Sequence, residues 1–388
     1  MDVQRPAPDE LLAALVRAAN GIAAPLAVLD PAWPAVLRSA AERQLFRAVD
    51  EGRLGAGDLV LFTSGSGGTP RGVVRTVQSW TESLAPLAGV TRATADDVVW
   101  LPGPLTSSLT LYGGFAAAMA GARVVHGVPS RDVTTAHLVP STLADALDVA
   151  ADGGLPRLRS AVVAGAALPT ALRDRARALG WRVVEYYGAA ELSFVGWRDD
   201  AGPFRDFPGA RVRVHEGRLW SDSPYLCRGY LDPADPGPLR RDGRWATVAD
   251  AGRRVPGGWL VTGRVDAAVT TGGHTVLVEE VETFVGALPG VRAVAVTGWP
   301  HARLGEIVAA VIVPECAPDG RPARSADAGG HAGGHAPSAA SLRDACRQLP
   351  AAARPRRWLT SPALPRTPAG KVDRAALART LTSLPPLP

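Results

Sequence analysis

The densest chemistry in this sequence lies in the stretch Thr63-Ser64-Gly65-Ser66-Gly67-Gly68-Thr69-Pro70-Arg71-Gly72. Its glycines let backbone N–H groups turn inward and approach a ligand closely. The hydroxyls of Ser64, Ser66 and Thr69 add donors, and Arg71 adds a fixed charge with a planar fork suited to phosphate. An apolar run, Leu59-Val60-Leu61-Phe62, feeds into this loop as a buried strand, and Val73-Val74-Arg75-Thr76 leaves it. Such a loop can cradle a polyanion. The same composition also suits a mobile surface loop, and the Gly-Lys-Ser/Thr ending of a Walker loop is absent.

A second feature is the identity of the cations. Of 42 basic residues, 41 are Arg and one is Lys, Lys371. A chain that uses Arg wherever a generic positive charge suffices, yet keeps one Lys, points to a site needing a compact ammonium on a slim stem. Chance survival is the alternative. Tyr187 offers a flat face and Glu191, four residues on, a hard oxygen ligand suited to Mg2+ beside phosphates. Read alone, the pair could equally be a core tyrosine and an exposed glutamate at a helix start.

Taken together and in order, these stretches resemble the adenylate-forming superfamily of acyl- and aryl-CoA ligases, peptide-synthetase adenylation domains and luciferases. The loop 63–72 is similar to that family's phosphate loop, with Gly67 where a Thr is usual and Arg71 where a Lys is usual. Tyr187-Gly188-Ala189-Ala190-Glu191 resembles Tyr-Gly-x-Thr-Glu, with Ala190 in place of the hydroxyl residue. Trp245 to Asp250 resembles Thr-Gly-Asp, whose Asp binds the ribose. Gly263-Arg264-Val265-Asp266 resembles the hinge, and Pro365 to Arg374 the closing motif that carries a catalytic Lys. The solitary lysine falls on that position.

The resemblance implies ATP, Mg2+ and a thiol acceptor, coenzyme A, as cofactors. It implies catalytic roles for Lys371, Glu191 and Arg264, with Glu191 on the metal. It places the nucleotide against Thr63, Ser64, Gly65, Ser66, Gly68, Thr69, Arg71, Gly165, Ala166, Tyr186, Tyr187, Gly188, Ala189, Asp250 and Arg264. Asp266 would be the hinge and Gly272 and Gly273, in Thr270-Thr271-Gly272-Gly273-His274, would line the thiol channel. The acid would lie among 104–112, 165–168 and 189–195, with Ser107, Ser108, Gly165 and Ala189 as small lining and Tyr112 and Phe194 as walls. Such a pocket suits a compact aryl acid of the hydroxy- or aminobenzoate kind, as in secondary metabolism. The shortened layout also resembles o-succinylbenzoate–CoA ligases; a carrier protein or a hydroxyl or amine nucleophile are other acceptors. A nucleotide-binding protein without activity is the competing class, since Gly67 and Ala190 both lack a hydroxyl.

The elements that must position these residues follow from pattern. Strands are expected at 97–101, 123–125, 160–164 and 182–186, and helices at 76–87, 107–120, 142–151 and 169–179. That alternation predicts an α/β fold with a doubly wound, mostly parallel sheet, whose ligands bind at the carboxyl ends of strands. Asp9 is expected to cap a helix through Leu11, Leu12, Leu15 and Val16. Short runs with Gly and Pro turns over 204–262 predict a small antiparallel β subdomain. The chain then divides into a large N-terminal domain, 1–263, shortened relative to the family, a hinge, 264–266, and a small mobile α+β domain, 267–388. Residues 315–340, rich in Gly, Ala, Pro and His, read as a flexible insert, and His331 and His335 as part of that linker.

Composition bounds the rest. A chain of 388 residues, 46% hydrophobic and 20% charged, buries a large core. Net charge is +5, but the arginines are scattered among acids, which argues against nucleic acid. Three separated cysteines and the lack of an N-terminal leader pattern or an apolar 18-residue run suggest a cytoplasmic protein away from membranes. Pairing of two protomers is one way to replace the missing N-terminal part.

Overall fold

In a computed structural model, residues 2–4, 8–21, 24–31, 33–64, 70–235, 237–264, 268–271, 274–315, 337–367 and 371–388 are described. The chain forms two compact units, one of Met1–Leu168, Arg175–Ala249 and Arg254–Leu260 and one of Pro169–Asp174, Asp250–Arg253 and Val261–Pro388.

The first unit is organised by two mixed sheets. A seven-stranded sheet takes the order Arg205–Asp206, Ser193–Arg198, Arg182–Ala189, Ser160–Val163, Thr135–Leu138, Val98–Leu101, Arg123–His126. Its last five strands are parallel and the first two antiparallel. Ser160–Val163 and Thr135–Leu138 are buried at every position, as expected for parallel strands covered on both faces. A five-stranded sheet runs Asp2–Gln4, Leu26–Val28, Asp58–Ser64, Pro70–Thr76, Gly229–Tyr230. A six-stranded sheet of short strands between Arg211–His215 and Gly258–Arg264 follows, its last two strands shared with the second unit. The α/β class with a smaller antiparallel part is therefore as the sequence predicts.

Several details differ from expectation, each for a physical reason. Thr135–Leu138 was not foreseen, because Thr-Ala-His-Leu is no apolar run. Its polar start is satisfied inside: the Thr134 and Thr135 hydroxyls donate to Asp97, at 2.5 and 3.2 Å. The single helix expected over 76–87 is two, Gln78–Thr81 and Leu84–Thr91. Pro86 has no N–H and fits only a first turn, so a new helix begins at Leu84. Ser83, at the break, turns its hydroxyl to the Trp80 carbonyl and to Tyr112 Oη, both 2.7 Å away. Asp9 is not a cap; it lies in the first turn of Pro8–Ala19, where its charge favours the helix dipole. Tyr187 to Glu191 is not a turn leading to a helix. The strand continues to Ala189 and hairpins back as Ser193–Arg198.

His137 is 7% exposed and its Nδ1 has no hydrogen-bond partner among the described residues. Burial pushes its imidazole down to about 4 from an ordinary 6.5. The unfolded chain then takes up the proton first as pH falls through that window. Stability from this site should be complete above about pH 6.5 and fall toward pH 4, by up to about 1.4 kcal/mol per pH unit. Thermal melts from pH 7 to 5 should show a steeper loss in the wild type than in His137→Leu; parallel curves would refute the assignment.

The second unit is an α+β layer. Strands His274–Val276, Val269–Thr271, Gly305–Pro314 and Val291–His301 are neighbours in that order, and Arg357–Thr360 adds in parallel to Gly305–Pro314. Alternate residues of the central strand serve two cores: Val308, Ala310 and Ile312 meet Val278, Val281 and Val285 of helix Val278–Gly286, while Val311 and Val313 meet Leu359, Leu377 and Leu381. The insert expected over 315–340 ends earlier, since Ser338 caps helix Ala339–Ala345 by accepting from the Ser341 N–H. Residues 316–336, with His331 and His335, lie outside the described residues. Among the described residues no helix is long and apolar enough to cross a membrane.

Candidate active site

Strands Asp58–Ser64 and Pro70–Thr76 pair antiparallel, with Thr63 opposite Arg71 and Ser64 opposite Pro70. The glycine-rich connection thus leaves and enters at one end of a hairpin. Gly65, Ser66, Gly68 and Thr69 lie outside the described residues, as does the Ser64 side chain. Arg71, expected to face phosphate, has a protein partner. Its Nε lies 2.9 Å from both carboxylate oxygens of Asp235, and its guanidinium stacks 5.3 Å from the Tyr230 ring centroid.

That stacking leads to Glu191. The residue sits at the tip of the Arg182–Ala189 hairpin and is 7% exposed, not the exposed glutamate its setting in the sequence could suggest. Its Oε1 accepts from Tyr230 Oη at 3.0 Å, and Tyr230 Oη accepts from the Leu239 N–H at 3.0 Å. Burial and the Glu191 carboxylate push the Tyr230 phenol up, so it remains a donor. Cys227 N–H holds the Glu191 carbonyl at 2.8 Å. No group of three His, Cys, Asp or Glu able to hold a metal occurs among the described residues. A lone carboxylate completed by nucleotide phosphates is, however, the usual donor set for Mg2+, and Glu191 fits it.

The hairpin geometry has one strict requirement. A Cβ on Gly188 would lie 1.9 Å from the Ser193 carbonyl oxygen. The two tyrosines before it point to opposite faces, as alternation demands. Tyr186 packs against Phe194, 4.8 Å between centroids, while Tyr187 meets Trp259 edge-on at 5.5 Å. Gly165 takes φ of +88° two residues after strand Ser160–Val163, and both it and Ala166 are exposed.

Of the acid-pocket residues, Ser107, Ser108 and Ala189 are half-buried. Tyr112 and Phe194, expected as walls, are 3% and 2% exposed and belong to the main core. Their rings meet edge-to-face at 4.8 Å, and the Tyr112 hydroxyl is taken by Ser83.

In the second unit, Asp250 and Arg264 come together, with Arg264 Nε 3.7 Å from Asp250 Oδ1. The Arg264 N–H donates to Glu279 at 3.3 Å. Asp266, Gly272 and Gly273 lie outside the described residues. Lys371 is exposed on a clasped loop. Arg366 bridges Val372, the Thr367 N–H donates to the Lys371 carbonyl at 2.8 Å, and the Asp373 N–H donates to the Pro365 carbonyl at 2.8 Å. Asp373 caps helix Arg374–Thr380, and Arg374 anchors it through 3.0 Å bonds to both oxygens of Glu282.

The sequence reading passed over Arg75, Tyr230, Asp235 and Arg374. Only Arg75 carried a signal, as a charge directly after the apolar pair Val73-Val74.

The profile of the AMP-binding enzyme family matches residues 27–231, more than half of the chain, and that of the AMP-binding enzyme C-terminal domain matches 280–371. This chain belongs to the AMP-binding enzyme family. The family's first match takes in the glycine-rich hairpin and Glu191, and the second ends on Lys371. As a family member the protein is an AMP-forming ligase. Among its relatives, a probable 2-succinylbenzoate–CoA ligase of Mycobacterium tuberculosis is 33% identical, over 83% of this chain and 84% of that one. An uncharacterized acyl–CoA ligase, YhfT of Bacillus subtilis, is 28% identical over 82% of this chain and 68% of its own. Among solved structures, a variant of E. coli MenE with bound OSB-AMS superposes with a TM-score of 0.67 at 25% identity. That match covers 83% of this chain and 68% of the other.

Proposed function

We propose that this enzyme uses ATP to convert a small aryl acid, of the hydroxy- or aminobenzoate type, into an acyl-adenylate and passes the acyl group to coenzyme A. The observation that carries the reading is the chain's single lysine, held at the head of a clasped loop where the family's C-terminal match ends. A carboxylate must approach an α-phosphate that is itself negative, so neutralising charge is the main task. Lys371 bridges the attacking oxygen and the α-phosphate. Glu191 is the ligand for Mg2+, which supplies further neutralisation of the phosphates when bound. Asp250 accepts from the ribose hydroxyls, Arg264 contacts the same sugar, and Tyr187 lies along the adenine. The glycine-rich loop, from Thr63 to Thr69, holds the β- and γ-phosphates.

The carboxylate oxygen bonds to the α-phosphorus as pyrophosphate leaves. The thiolate of coenzyme A then attacks the acyl carbon, and AMP departs with the bonding pair. Residues 264–266 are the hinge between these two steps, Asp266 absorbing the backbone change, and Gly272 and Gly273 line the thiol's path. Small residues at Ser107, Ser108, Gly165 and Ala189 favour a flat, compact acid. Buried free thiols at Cys227 and Cys346 agree with a reducing, cytoplasmic setting.

A second reading is 2-succinylbenzoate as the acid, favoured by the M. tuberculosis relative and by the E. coli MenE structure with OSB-AMS. ATP–pyrophosphate exchange with hydroxybenzoates, aminobenzoates, 2-succinylbenzoate and alkyl acids decides between them. Exchange with benzoates is expected. Exchange with 2-succinylbenzoate alone selects the second reading, and no exchange with any acid would leave a nucleotide-binding protein.

A further inference from the structure

Arg75 is 1% exposed, yet no carboxylate is hydrogen-bonded to it among the described residues. Instead its fork ties three segments together. Nε donates to Ser79 Oγ at 3.2 Å, Nη1 to the Ala190 carbonyl at 3.2 Å and Nη2 to the Tyr225 carbonyl at 2.5 Å. Its flat face lies 5.5 Å from the centre of the Trp80 ring. Ser79 follows the strand that leaves the glycine-rich loop. Ala190 is the residue before Glu191. Tyr225 opens the segment that supplies the Cys227 N–H to the Glu191 carbonyl and, farther on, the Tyr230 hydroxyl to its carboxylate.

A buried guanidinium costs several kcal/mol, and a well-packed apolar side chain of similar volume often stabilises a fold as well or better. Retaining a charge here is therefore poorly explained by packing alone. Burial pulls Arg75 down to about 10, which leaves it cationic at neutral pH, and Glu191 is among the groups whose field opposes that pull.

We propose that Arg75 is a positioning residue for Glu191, its fork tying the Ala190 and Tyr225 carbonyls so that the hairpin tip is fixed and Glu191 is aimed at a divalent cation carried by the nucleotide. The proposal rests on the assignment of Glu191 to the metal and deepens it.

The test is calorimetric titration of the full-length protein with ATP in excess Mg2+ and with ATP in EDTA. Arg75→Met should lose about tenfold or more in affinity for MgATP, the usual effect of removing a residue that orients a metal ligand. Binding of metal-free ATP should change little. Glu191→Gln should show the same selective loss, and the double variant should be no weaker than Glu191→Gln alone, because residues acting as one unit are not additive. Arg75→Lys, which keeps the charge without the fork, should lie between wild type and Arg75→Met, and it serves as the test if Arg75→Met does not fold. Wild-type affinity in the variants, an equal loss with and without Mg2+, or losses that multiply in the double variant would each overturn the proposal. Tight MgATP binding without pyrophosphate exchange on any acid would instead remove the acid-activating reading and leave the role of Arg75 standing.

Discussion

Lys371→Ala is expected to slow adenylate formation by about a hundredfold or more, the loss typical of removing one preorganised donor from a developing charge. The same variant should make thioester from chemically prepared adenylate at nearly the wild-type rate. The asymmetry follows from the role proposed for the ammonium: it would neutralise two anions during acyl-adenylate formation, whereas the thiol step would need no cation at that place. The loop carrying Lys371 is braced by backbone bonds at Thr367 and Asp373 that an alanine leaves intact, so folding should be unaffected. Paired assays of pyrophosphate exchange and of thioester release from the adenylate read the two steps separately. An equal drop in both would contradict the role given to Lys371.

Gly188→Ala should cost about 3 kcal/mol, at the upper end for overpacking. The added methyl would sit 1.9 Å from the Ser193 carbonyl oxygen and 3.0 Å from its carbon. Both atoms are backbone, so relief requires the two hairpin strands to part and the Glu191 turn to shift with them. Pyrophosphate exchange should fall along with stability. Gly89→Ala is the internal control, since a Cβ there meets nothing within 4 Å in helix Leu84–Thr91. It should be neutral or add up to about 1 kcal/mol. Urea melts of the two variants decide the matter, and equal stability would refute the steric argument.

Much of the architecture was legible because it is written in local pattern. Val-rich runs separated by helix-length segments gave the parallel sheet, and the ordered motifs gave the family. What stayed hidden depends on partners distant in sequence. Thr135–Leu138 reads as polar until Asp97, nearly forty positions earlier, is seen to satisfy it. Arg71 reads as a phosphate ligand until Asp235 folds back onto it, and Tyr230 has no local signature at all. Tyr112 and Phe194 read as pocket walls because they are the large rings among small and hydroxylic neighbours, and ring packing places both in the core. Pro86 is a local signal for a helix start, but the apolar stretch around it reads as one continuous helix. Asp250, Arg264, Glu191 and Lys371 are candidates from motif order alone, and the bonds around them are not readable from the sequence.

The clasp around Lys371 has an entropic corollary. With Arg366 bridged to Val372 and the Lys371 carbonyl tied to Thr367, the main chain at this point is largely fixed before any anion arrives. Engagement then adds little backbone ordering at this point, and the rotamer entropy of the long side chain is at most about 2 kcal/mol. If Lys371 has the proposed role, weakening the Arg366–Val372 bridge would therefore appear as slower capture of the reacting oxygens, with the ammonium itself chemically unchanged.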